Sequence, residues 1–165
     1  MIANIRRTAV ADLPAVMEIY AIARDFMRRT GNASQWIHGY PTEAFISEEI
    51  VAGHSFVCEN QSGEPAGTFC FILGDDPTYA KIYEGEWLNT EPYGTVHRIA
   101  SSGKERGVAN ACFEWCFTQC PNIRVDTHRD NRVMQQILER QGFSYCGIIY
   151  VSNGTERLAY QKKVL

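Results

Sequence analysis

One stretch restricts the fold of this chain more than any other: Thr95 to Trp115, TVHRIASSGKERGVANACFEW. It reads as an apolar strand running straight into an apolar helix. The joint between them is Ser101, Ser102, Gly103, Lys104, Glu105, Arg106 and Gly107, all small or charged. A helix start exposes unpaired backbone N–H groups and the positive end of its dipole, so it suits an anion. Small residues let a phosphate approach that backbone, and Lys104 and Arg106 add charge. Taken alone, such a loop is more often a plain strand-to-helix turn. It is not the phosphate loop of nucleotide hydrolases, because no Gly-Lys-Ser/Thr opens the helix. Nor is it the dinucleotide Gly-x-Gly-x-x-Gly, since the fold that carries that motif leads with a strand-helix-strand unit.

The rest of the chain supplies the context. Ile2 to Arg7 reads as a short strand. Asp12 is placed to cap a helix whose apolar residues Leu13, Val16, Met17, Tyr20, Ala23 and Met27 follow helical spacing, with Gly31 to stop it. A second helix is expected from about Thr42 to Ala52, burying Phe45, Ile46 and Ile50. HSFVCEN and EPAGTFCFIL read as a hairpin turning at Gln61-Ser62-Gly63. The segment GDDPTYAKIYEGEWLNTEP is too long to be structureless in a compact domain, so part of it is expected to be ordered or functional. Then come a central strand (Tyr93 to Ser101), a helix (Gly107 to Cys120), the strand NIRVDTH, a helix (Asn131 to Gln141, capped by Gly142), and two last strands, YCGIIYV and RLAYQKK. This order predicts a single α/β (α+β) domain over residues 1–165: a mixed, mostly antiparallel sheet flanked by helices, with a parallel pair at its centre.

Bulk composition narrows the function classes. The chain is 45% hydrophobic and 21% charged, as soluble globular domains are, and its net charge of −3 lacks the basic surplus of a nucleic-acid binder. No signal-peptide core or bilayer-length apolar run occurs, which leads us to expect a cytoplasmic protein without a membrane partner. The six cysteines include no Cys-x-x-Cys pair. Cys112, Cys116 and Cys120 recur every four residues on one helix, but without a partner motif this is a packing pattern, and no metal is expected.

Two motifs in the right order carry a resemblance. Lys104-Glu105-Arg106-Gly107-Val108-Ala109 resembles the acetyl-CoA motif Gln/Arg-x-x-Gly-x-Gly/Ala of the GNAT superfamily of N-acetyltransferases, with Lys in the first position. NRVMQQILERQGF, from Asn131 to Gly142-Phe143, is similar to the superfamily's second signature, and the element order agrees over essentially the whole chain. The resemblance implies a GNAT-like fold and transfer of an acetyl group from acetyl-CoA, as co-substrate, to a primary amine of a small molecule or peptide. It also implies that the backbone of Ile99, Ala100 and Ser101 holds the pantetheine and polarises the acetyl carbonyl. The amides of Lys104, Glu105, Arg106, Gly107, Val108 and Ala109 would hold the pyrophosphate, and Asn131 the cofactor arm. A homodimer is plausible by the same analogy.

The catalytic groups are less plain. Where the superfamily often has a tyrosine acid, four residues before the Gly, this chain has Leu138. Tyr150 and Tyr145 on the following strand are the candidate substitutes. For the base, His97 is the leading candidate: strict alternation along the central strand gives it the facing of Ile99 and Ser101, and its ordinary pKa of about 6.5 suits proton acceptance. A core or cofactor-side histidine fits the same position. His128, tied by Asp126, is a rival, and an ordered water chain could replace either. The acceptor is expected between the loop TGNASQWIHGYPT and the long segment before the central strand, with Trp36, Tyr83 and Trp87 as contacts. The acids Asp75, Asp76, Glu84, Glu86 and Glu91 would attract an ammonium group. Two other readings remain open at this stage: a non-catalytic acyl-CoA-binding or regulatory module, and a nucleotide-binding domain.

Overall fold

The apolar alternation of the strand segments is realised as one seven-stranded sheet in the computed structural model, which describes residues 1–165. The elements are β1 (Ile2–Arg7), α1 (Leu13–Arg29), α2 (Glu43–Val51), β2 (Ser55–Asn60), β3 (Pro65–Leu73), β4 (Gly94–Ser101), α3 (Val108–Gln119), β5 (Asn122–Thr127), α4 (Arg132–Arg140), β6 (Ser144–Tyr150) and β7 (Glu156–Lys163). The strands lie in the order β1-β2-β3-β4-β5-β7-β6, and only β4 and β5 run parallel. This is the mixed, mostly antiparallel sheet with a central parallel pair that the sequence predicts. No helix is long and apolar enough to cross a membrane.

Each face of the sheet has its own cover. On one face α3 and α4 bury Cys112, Phe113, Cys116 and Leu138 against Phe69, Val96 and Ile123 of the strands. On the other, α1 and α2 bury Val16, Tyr20 and Ile46 against Val57 and Ala100. The cysteines of α3 are thus core residues, and all six in the chain are free thiols. The second half of that face is covered by the segment between β3 and β4. Tyr79 and Tyr93 pack there on Ile149 and Ala159, and Trp87 donates its indole N–H to Tyr79 O at 3.0 Å. The segment is ordered because it neutralises Arg124, a buried β5 residue whose guanidinium lies 4.2 Å from the Trp87 ring and 4.1 Å from that of Tyr93.

Thr42 and Asn131 cap α2 and α4, accepting from Phe45 N–H at 3.2 Å and Met134 N–H at 3.0 Å. Asp12 precedes α1 as expected but does not cap it. Its carboxylate accepts from Arg6 at 2.7 and 3.0 Å and from Ala9 N–H at 2.7 Å, fixing β1 to the start of the helix.

Two irregularities in β4 shape everything that follows. Parallel pairing with β5 is confined to Gly94–Ile123 and Thr95–Arg124, after which the strands part. Along the other edge, Cys70 pairs with His97 and Thr68 with Ala100, so Arg98 and Ile99 together oppose Phe69. This is a β-bulge, with Arg98 at φ 56°. The extra residue inverts the alternation: Ile99 packs into the α3–α4 core, whereas His97 falls on the α1–α2 face. The expectation that His97 shares the facing of Ile99 and Ser101 is therefore corrected.

Gly67 on β3 lets the start of α3 sit close to the sheet, since a Cβ there would lie 2.4 Å from Val108 Cγ1 and 3.1 Å from Ala100 O. Gly67→Ala should destabilise the fold by about 1–3 kcal/mol, as overpacking does. Urea denaturation is the measurement, and an unchanged midpoint would mean that α3 is free to shift.

Candidate active site

The parting of β4 and β5 opens a groove of about 390 Å³ through the middle of the sheet. Val96, Ile99 and Ala100 line it from β4, Val125 from β5, and Met134 and Ile137 from α4. Beyond Thr95 the facing edges of the two strands share no ladder, so the backbone amides and carbonyls of β4 are offered to whatever enters. At one end stand Ser101, Ser102, Gly103, Val108 and Ala109. The first hydrogen bond of α3 is Ala111 N–H to Gly107 O at 3.0 Å, which leaves the amides from Glu105 to Asn110 free, while Gly103 N–H and Lys104 N–H donate to Ser101 Oγ at 3.1 Å and Ser102 Oγ at 3.2 Å. Gly103 and Gly107 have φ of 78° and 79°, and a Cβ on either would meet nothing within 4 Å. Glycine is required there by the left-handed backbone, and the space above it is open.

Of the loop side chains, Lys104 and Arg106 are exposed and take no ion pair, while Glu105 binds the N-terminal ammonium. Asn131 borders the groove, but its side chain is engaged: Oδ1 caps α4, and Nδ2 donates to Gln35 Oε1 at 3.0 Å. That bond ties the α1–α2 loop to the β5–α4 turn across the groove.

A second cavity, of about 530 Å³, opens on the α1–α2 face. Gln35, Trp36, Arg98 and Asp126 line both spaces, so the groove and the cavity meet there. In the cavity His97 Nε2 lies 3.2 Å from Asp76 Oδ2. Asp76 Oδ1 accepts from Thr78 N–H and O–H at 2.8 and 2.7 Å, and Asp76 N–H donates to Tyr93 at 2.8 Å. Burial would raise the Asp76 pKa, but the hydrogen bonds from His97 and Thr78, with the His97 charge, outweigh it and carry the carboxyl down to about 2. Arg98, the bulge residue, donates to the Tyr40 hydroxyl oxygen at 2.9 Å and to Glu49 Oε2 at 3.0 Å. Tyr79 O–H donates to Asp126 Oδ2 at 2.6 Å.

The sequence-derived candidates separate. His97 and Trp36 line the cavity on the α1–α2 face. Tyr150 does not reach it: it stands 46% exposed at the end of edge strand β6, edge-on to Tyr83 at 5.3 Å. Tyr83 is equally exposed and Trp87 is held by Arg124, so neither lines either space. Tyr145 is exposed against Tyr160. His128 also stands apart, accepting from Asp130 N–H at 3.0 Å through Nδ1 rather than being tied by Asp126. Leu138 is fully buried in the core. Sequence reasoning missed Gln35, Arg98 and Arg157 and did not place Asp126 here. Arg98 left a signal, a charged residue in the middle of an apolar strand.

No family model and no curated protein sequence matches the chain. Solved structures do. A GNAT-family acetyltransferase from Streptococcus agalactiae is 33% identical, with a TM-score of 0.88 over 98% of this chain and 95% of its own. The chain belongs to the GNAT family of acetyltransferases. A GNAT acetyltransferase from Listeria monocytogenes shares the fold at 20% identity, with a TM-score of 0.72 over 98% of this chain and 94% of its own. So does a GNAT phosphinothricin acetyltransferase from Sinorhizobium meliloti in complex with AcCoA, 15% identical, with a TM-score of 0.64 over 99% of this chain and 89% of its own. In this GNAT chain the groove and the cavity meet beside the central strand.

The Asp76 carboxylate supplies a pH test. Its pKa is depressed from 3.8, so it stabilises the fold fully above that value and loses this as pH falls toward about 2. Asp76→Asn should cost roughly 1–2 kcal/mol at pH 7. The gap between variant and parent, read by chemical denaturation, should narrow steadily below pH 4. A gap independent of pH would mean that the hydrogen bonds of Asp76 do not require its charge.

Proposed function

We propose that this chain transfers the acetyl group of acetyl-CoA to a primary amine of a small molecule or peptide. The observation that carries this is the continuity of two spaces: the β4–β5 groove, ending at the free amides of α3, runs into a cavity that holds the His97–Asp76 pair. Family membership and the AcCoA complex of the Sinorhizobium protein support it. The residues fit the co-substrate, because the open space over Gly103 and Gly107 admits a pyrophosphate against backbone N–H groups. The unpaired edge of β4 from Ile99 to Ser101 can hydrogen-bond the amides of the pantetheine arm and donate to the acetyl oxygen. Lys104 and Arg106 supply charge at the pyrophosphate end, and Asn131, through Gln35, fixes the wall beside the arm.

When bound, acetyl-CoA supplies the thioester: a C–N bond forms to its acetyl carbon, the C–S bond breaks and CoA leaves as the thiol. His97 is the base. In the tautomer that donates from Nε2 to Asp76, Nδ1 is the acceptor for an ammonium proton, and Asp76 stabilises the imidazolium that results. Of the three ammonium protons, one passes through His97 to solvent, one ends on sulfur and one stays on the amide nitrogen. Leu138 supplies no acid, and the Tyr79 hydroxyl is committed to Asp126, so water delivers the proton to sulfur.

Acetyl-CoA and CoA, at about a hundred times their dissociation constants, should raise the melting temperature by about 5–10 °C, while ATP and NAD should not. Gly107→Glu should abolish that rise by straining the loop, filling the cradle and adding like charge. His97→Ala should keep the rise yet lower kcat by about 10²–10⁴. CoA release is read by mass spectrometry. A rise without any amine-dependent release would replace this reading with the acyl-CoA-binding one, and a larger rise with ATP or NAD would overturn both.

A further inference from the structure

Three arginines are buried on or beside the acceptor-side face, and two are compensated. Arg98 is paired with Glu49, and Arg124 lies between the Trp87 and Tyr93 rings. Arg157 on β7 is 7% exposed and has neither a carboxylate within 4 Å nor a ring. Its guanidinium donates to neutral oxygens only: Thr155 Oγ1 at 3.0 Å, Glu156 O at 2.9 Å and Gln35 O at 3.4 Å. It lines the cavity that holds His97. A buried cation without a counter-ion in contact is costly, and the protein offers Arg157 only the more distant Asp126 carboxylate.

Asp126 is its opposite. It borders both the groove and the cavity, so it sits where donor and acceptor meet, and no cation lies within 4 Å of it. Asp126 pairs with Ala159 across β5 and β7, and Arg157 is two residues earlier on β7. The two charges therefore share a face on a diagonal, with backbones about 7–8 Å apart. That is close enough for one small molecule to bridge them, and they are not paired with each other. Of the other charged groups of the cavity, Glu49 is paired with Arg98 and Asp76 is hydrogen-bonded to His97.

We propose that the acceptor is a free amino acid, its ammonium group placed by Asp126 at the mouth of the groove and its carboxylate bound by the Arg157 guanidinium. This rests on the acetyl-transfer reading and narrows its acceptor. The ammonium would lie where His97 can take its proton, and the carboxylate would be the counter-ion that Arg157 lacks. Burial already works against the charge of Arg157, with Asp126 partly offsetting it, and a bound carboxylate would add to that support.

The test compares kcat/KM for phenylalanine, methionine and histidine with their carboxamides and decarboxylated amines, using acetyl-CoA and detection of the N-acetyl product by mass spectrometry. At least one amino acid should exceed both of its carboxylate-free counterparts by about 10–100-fold. In Arg157→Gln that ratio should fall toward one through a rise in KM, and Arg157→Lys should retain part of it. The parent protein decides the matter even if the variants fold poorly. Equal or better turnover of the carboxylate-free amines overturns the amino-acid proposal and leaves acetyl transfer standing. So does acetyl-CoA binding with no member of the panel acetylated. Failure of acetyl-CoA to bind at all overturns the proposed function itself.

Discussion

The structure turns on a strand that does not finish its pairing. After Thr95 the parallel partners β4 and β5 separate, and β4 gives up its ladder on that side. Each buried backbone group left unpaired costs on the order of 1–3 kcal/mol unless water or a ligand satisfies it. The fold tolerates this because both strands are held on their outer edges, β4 by β3 and β5 by β7, over long antiparallel registers. The helices on one face and the α1–α2 layer on the other then close a hole in the sheet into a lined groove. A flat, fully paired sheet of the same sequence order would have no place for a ligand at its centre.

The bulge at Arg98 adds the second requirement. Without the extra residue, His97 and Ile99 would share a face, and Ile99 would leave the α3–α4 core. Inserting one residue returns Ile99 to the core while His97 keeps its bond to Asp76, so the groove and the cavity are lined from one short run of strand. The left-handed backbone of Arg98 is unfavourable for a side chain of that kind. It is held by what the side chain reaches: Tyr40, Glu49 and the Phe45 ring at 4.7 Å, all from the α1–α2 loop and α2.

The same irregularities mark where the sequence is legible. Period-two and period-three-to-four apolar spacing, with Gly31, Gly142 and the Gln61–Gly63 turn, identifies every strand and helix and the parallel pair, because burial of one face dictates those patterns. The two signatures border the groove between β4 and β5 for a related reason, since a free helix start needs small residues in front of it. The bulge leaves no such trace: VHRIAS alternates acceptably with or without an extra residue, and only the register against Cys70, Phe69 and Thr68 decides. Tyr83, Trp87 and Tyr150 line neither space, and an aromatic residue near a site and one that holds a loop on a sheet look alike in sequence. Trp87 is there to face Arg124, a pairing 37 residues apart that no local pattern carries. Arg157 and Asp126 meet only through the β5–β7 register, which is tertiary information.

Charge placement then separates what holds the fold from what awaits a ligand. Buried ions in proteins are matched, and here Arg98, Arg124 and Asp76 each have a partner that accounts for their position. Such matched groups stabilise a shape but offer no unmet charge to a newcomer. Arg157 and Asp126 do, with opposite signs on neighbouring strands, in the one cavity that joins the groove. A strand edge without its ladder and a pair of charges without counter-ions are the same kind of feature: polar capacity left open by a fold that elsewhere closes it. In this chain the two lie end to end, and the imidazole of His97 stands beside them.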